Sequence, residues 1–168
     1  MKKYILLLTT LFCINLLHAQ VSYYKGEWTR INKHDCFTGI FKISIDKDNM
    51  VKGELLWTYI AIDSTDKSMT EQYHGKKKRT GIEYVEGSYN TSTHDIYFEG
   101  RSKEDPWEII GLDKYTLKLS LNMQILYGST DSQGSKDALF YGTRISSATG
   151  QKEFGIAKAL LQKRSSRK

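Results

Sequence analysis

Cys36 stands two residues after His34, with Asp35 between them, and this is the one local cluster in the chain that pairs a nucleophile with a base. Thiol catalysis needs a thiolate held beside a base, and residues two apart in an extended segment point to the same side. The cluster falls in a polar turn ahead of an apolar strand, which suits an incidental cysteine better than a catalytic one. His34, His74 and His94 are too dispersed in sequence to form a local metal motif. Asp46-Lys47-Asp48-Asn49 lacks the glycine and the distal glutamate of a calcium loop and reads as a turn. Lys76-Lys77-Lys78-Arg79 could attract an anionic partner, but four cations without interleaved aromatics read as a solvated loop. There is no glycine-rich phosphate loop, nucleophile elbow or paired-carboxylate signature. The sequence therefore assigns no catalytic residue, metal or cofactor, and it gives no sign of a nucleic-acid partner.

The elements that would position any site are strands. From Phe37 to Ile45 the apolar residues Phe37, Phe41, Ile43 and Ile45 alternate with Thr38, Lys42 and Ser44, a period of two with one buried face. After the turn, Val51 to Ile62 resumes with Val51, Gly53, Leu55, Trp57, Tyr59 and Ala61 on one face; Leu56 and Ile60 on the other indicate cover on both sides. Asp63 to Arg79 reads as a long loop. Thr80 to Tyr89 and His94 to Arg101 form a second hairpin, and Asp105-Pro106 is a break, because proline cannot donate to a ladder. Tyr115 to Leu119, Met123 to Thr130 and Ala138 to Ile145 follow, so with Tyr24 to Ile31 the strands number about eight. Short consecutive strands without helices between them indicate an all-β antiparallel meander, closed as an up-and-down barrel or paired as a sandwich. Gly53, Gly87, Gly100, Gly128 and Gly142 recur late in or inside apolar strands, which suits bends at barrel corners. Gln151 to Lys163 departs from the pattern, with Phe154, Ala157, Leu160 and Leu161 at helical spacing, and predicts an amphipathic helix lying outside the sheet.

The first nineteen residues stand apart from this fold. Lys2 and Lys3 are followed by a largely apolar run from Ile5 to Leu17 and by Ala19, the order of a secretory signal peptide. The apolar run is short for an ordinary membrane span, and bulky Phe12 before Cys13 argues against lipidation. Cleavage after Ala19 would leave one domain over residues 20–168, exported to the periplasm or secreted, with no membrane span. Losing Lys2 and Lys3 takes the formal charge from +6 to +4. Cys36 would then be the only cysteine, and no intramolecular disulfide could staple the core.

Gly26-Glu27-Trp28 opens the strand series, Asp113-Lys114-Tyr115 precedes a late strand, and Arg144 ends the last one before the helix. This order resembles the lipocalins and their calycin relatives, although Lys114 interrupts the Thr-Asp-Tyr pattern of that group. The resemblance implies an eight-stranded barrel in which Trp28 plugs the closed end beside Gly26, with the Arg144 guanidinium stacked over it. It also implies a small ligand held in the barrel.

An eight-stranded barrel is just wide enough to hold packed side chains or one small ligand. Trp57, Tyr59, Tyr84, Phe98, Tyr115 and Tyr127 are the aromatic candidates to line it, and Glu86 is placed on their inner face. A carboxylate there needs a partner, either an arginine or a ligand's amine. The leading expectation is a non-enzymatic binding protein for one small apolar or amphipathic molecule. A second reading is an interaction or inhibitor module of the cell envelope, whose exported protein partner would meet the loop Asp63 to Arg79 and Glu104-Asp105-Pro106-Trp107, with an exposed Trp107 as anchor. A third is an enzyme whose site is assembled only in the fold.

Overall fold

In the computed structural model, the described residues are 20–31, 36–61, 71, 73–132 and 135–165. The proposed signal peptide and the pair His34-Asp35 lie outside them. Eight strands run β1 (Gln20–Arg30), β2 (Cys36–Ile45), β3 (Met50–Ala61), β4 (Thr80–Tyr89), β5 (Asp95–Glu104), β6 (Lys114–Leu119), β7 (Ile125–Ser132) and β8 (Ser135–Ile145). Each pairs antiparallel with the next, and β8 returns to pair with β1, so the sheet is a closed up-and-down barrel. Closure removes the sheet edges that an open meander would leave unpaired.

The inner face carries Tyr24, Trp28, Phe37, Phe41, Leu55, Trp57, Phe98, Tyr115, Leu126 and Phe140, all buried in one cluster. Gly26, Gly39, Gly53, Gly87, Gly100, Gly128 and Gly142 share the inward phase of their strands. At Gly26 an added Cβ would fall 1.9 Å from the Tyr141 carbonyl oxygen, and at Gly87 1.9 Å from that of Tyr97. These glycines let strands coil closely enough to shut the barrel.

A helix, α1 (Ser147–Ser165), follows β8. It starts four residues before the apolar period suggests, because Ser146 caps it: the Thr149 amide donates to Ser146 Oγ at 3.2 Å. Phe154 and Leu161 pack on Tyr23, Ile40, Leu56 and Ile82 on the outside of β1 to β4. Lys158 Nζ donates to Glu54 Oε2 at 2.6 Å and lies over the Tyr84 ring at 5.5 Å. One side of the barrel is therefore covered twice, by core within and by helix without.

Candidate functional site

The barrel has two unlike ends. Tight turns join β2 to β3, β4 to β5 and β6 to β7 at one end, where Tyr24 Oη donates to the Met123 carbonyl at 3.2 Å. The longer connections lie at the other end, where a cavity of about 680 Å³ opens. Between them the interior is filled: Phe41 packs at 4.7 Å, centroid to centroid, against both Trp57 and Phe140, and Phe98 at 4.7 Å against Tyr115. The barrel is thus solid at its waist and hollow at its loop end.

Trp28, Phe37, Trp57, Tyr73 and Tyr115 supply the aromatic wall of that cavity, with Ile109 and Ile110 from the β5–β6 loop. Trp28 Nε1 donates to Thr130 Oγ1 at 2.8 Å, and its ring meets the Phe37 edge at 5.4 Å. Tyr73 comes from the long β3–β4 connection and stacks on Tyr59 at 4.9 Å. Its hydroxyl donates to the Ile109 carbonyl at 3.4 Å, which ties two loops together across the mouth.

Glu83 forms the polar floor, and only 1% of it is exposed. Its Oε2 accepts from Tyr115 Oη at 2.5 Å and from Trp57 Nε1 at 3.3 Å, while Oε1 accepts from the Asp113 amide at 3.1 Å. Burial pushes the Glu83 carboxyl up to about 7, against the pull of those three hydrogen bonds. Burial and the neighbouring Glu83 also hold the Tyr115 hydroxyl well above the usual tyrosine range. Asp105 closes one side of the mouth with a fully buried side chain. Its Oδ2 accepts from the Ile110 amide at 2.9 Å and from Lys103 Nζ at 3.4 Å.

Of the residues singled out in the sequence, Trp57 and Tyr115 line the cavity, and Tyr59 and Phe98 are buried inside the barrel beside it. Tyr84, Glu86 and Tyr127 face outward instead. Tyr84 lies beneath α1 and donates to Glu104. Glu86 pairs with Lys52 at 3.5 Å on the surface, and Tyr127 is 45% exposed. The inward residues of β4 are Glu83 and Val85, one position out of phase with the expected set. The helix makes the outer face of β4 as apolar as the inner, so alternation there carries no sign.

The barrel-end prediction also needs correcting. Trp28 is buried, as expected, but it stands at the loop end, and the cation over it is Arg30, at 5.6 Å. Arg144 lies opposite Tyr24 in the register, whereas Trp28 lies opposite Phe140. Four residues of strand separate the two positions, too far for stacking. The architecture fits a calycin-like barrel, but the motif roles that the resemblance implied do not hold.

Sequence reasoning missed Glu83, Asp105, Arg30, Phe37, Tyr73 and Lys103 as lining residues. The phase of the strand glycines was the available signal for Glu83, since Gly81 and Gly87 share its face. Cys36 is half-buried, and burial pushes its thiol pKa up, the wrong direction for a nucleophile. Comparison of the chain with protein-family models, curated proteins and solved structures returns no match. The functional reading rests on the geometry.

Proposed function

We propose that this is an exported, non-enzymatic binding protein that holds one small amphipathic molecule in the loop end of its barrel. The observation that carries the reading is the cavity of about 680 Å³, within the range of small-molecule sites. Its wall is aromatic on one part and charged on another, and Glu83 and Asp105 are held in place by hydrogen bonds from their neighbours. The interaction-module reading has less support, because Trp107 is half-buried, with the Arg79 guanidinium 4.0 Å over its ring. Lys76 donates to the Glu108 carbonyl at 3.2 Å, so the basic run also serves contacts within the chain.

Tryptophan emission tests the proposal, because Trp28 and Trp57 line the cavity and Trp107 does not. Titration with fatty acids, alkyl amines and arylalkyl compounds should quench or shift the emission, and Trp107→Phe should leave that response intact. A flat response across all three classes would remove the ligand from the account.

A further inference from the structure

Asp105 carries an oxygen that the fold leaves unanswered. Oδ2 is engaged by the Ile110 amide and Lys103, whereas Oδ1 is buried with no hydrogen-bond partner. Oδ1 sits 3.2 Å from the point where a Cβ on Gly81 would project, and Gly81 shares the inward phase of Glu83. The absence of a side chain at Gly81 leaves room beside this oxygen and the Ile110 side chain, and Asp105 and Ile110 both line the cavity. A buried carboxylate oxygen without a donor costs free energy, and a ligand that brings a donor recovers it.

The charges around the mouth select the kind of donor. Asp105, Glu108 and Asp113 line the cavity against Arg30 and Lys103, with Glu83 at its floor. Lys103 Nζ is committed to the Ile110 carbonyl at 2.5 Å as well as to Asp105. Arg30 lies over Trp28. Glu83 has its oxygens occupied by three protein donors, so it shapes the floor and is not open to a direct ligand contact. The Trp28, Trp57 and Tyr73 rings offer an apolar wall for the body of the ligand.

Resting on the binding reading above, we infer that the cavity takes an organic ammonium ion with an apolar body, its N–H donated to Asp105 Oδ1. The apolar part lies against the Trp28, Trp57 and Tyr73 rings. The ammonium stays at the mouth, beside the β5–β6 loop.

Calorimetry with three compounds of one shape tests this: 4-phenylbutylamine, 4-phenylbutanol and 4-phenylbutyrate. The amine should bind about tenfold or more tighter than the alcohol, and the acid weakest, as a charge-assisted hydrogen bond requires. Asp105→Asn keeps an acceptor for the Ile110 amide and presents an amide to the cavity. It should cancel the amine's advantage over the alcohol, and measurable binding of the alcohol together with a cooperative melting transition guards against a collapsed loop. An acid that binds tightest, or an amine preference that survives in Asp105→Asn, overturns the inference and leaves the binding reading standing. Failure of all three compounds to bind overturns both.

Discussion

The Glu83 carboxylate occupies the space that a side chain on Gly100 would need: a Cβ there would fall 2.2 Å from Glu83 Oε1 and 3.0 Å from the Leu112 Cα. One glycine on β5 thus admits both the buried acid of β4 and the loop whose Asp113 amide holds it. Gly100→Ala should cost about 1–3 kcal/mol through overpacking. Much of that cost should disappear in a Glu83→Ala background, because the displaced group is gone. A double-mutant cycle by urea denaturation measures this, and strictly additive effects would refute the relationship.

Glu83 should make stability fall as pH rises. Its carboxyl ionises near 4.5 in an unfolded chain and at about 7 in the fold. The protonated form is the one the fold favours, so its contribution is complete below about pH 4.5 and declines until the pH passes 7. A shift of this size corresponds to roughly 3 kcal/mol. Compared with wild type, Glu83→Gln should show a flatter profile between pH 5 and pH 8. Parallel profiles for the two proteins would contradict the prediction.

Glu54 should act with the opposite sign. Burial raises its carboxyl pKa, but hydrogen bonds from Lys158 and Lys42 outweigh that and hold it below the usual carboxylate value. Its contribution is therefore present above about pH 4.5 and lost as the pH falls through the lowered value. Glu54→Gln should loosen α1 from the barrel, at about 1–3 kcal/mol near pH 7, with the penalty shrinking in acid. Hydrogen exchange in α1 at pH 7 and pH 4 reports this directly.

Trp28→Ala should destabilise the barrel by about 3–5 kcal/mol, as removal of a buried core aromatic does. Thr130→Val should cost about 1–3 kcal/mol, because it leaves the buried Trp28 N–H without its acceptor. Arg144→Ala should spare Trp28 altogether, since the two lie at different levels of the barrel. Chemical denaturation ranks the three variants, and an Arg144→Ala cost equal to that of Trp28→Ala would restore the stacked pair.

Much of the architecture was legible in the residues. The alternation from Phe37 to Ile45 and the polar turns between successive short apolar runs define an antiparallel meander. Phe154 and Leu161 predict a helix laid on its outside. Glycine supplied a further constraint, since its repeated placement in apolar strands belongs to a sheet that must bend. Where one face of a strand is wet, as in β6, the pattern also tells inside from outside.

The phase of β4 and β7 was decided only by tertiary structure. In β4, Ile82 is buried and Tyr84 half-buried beneath α1 while Glu83 and Val85 are buried in the barrel, so both faces read as interior. In β7, Ile125 and Tyr127 are as apolar as Leu126. Slipping a strand's phase by one residue exchanges its two faces. That exchange is why the sequence pointed to Glu86 while the fold buries Glu83. The cavity itself is a further step removed, because Tyr73, Asp105 and Ile109 reach it from loops whose closure depends on long-range contacts. Local pattern sets which residues become strands; the covering helix and the closed barrel determine which of their side chains meet.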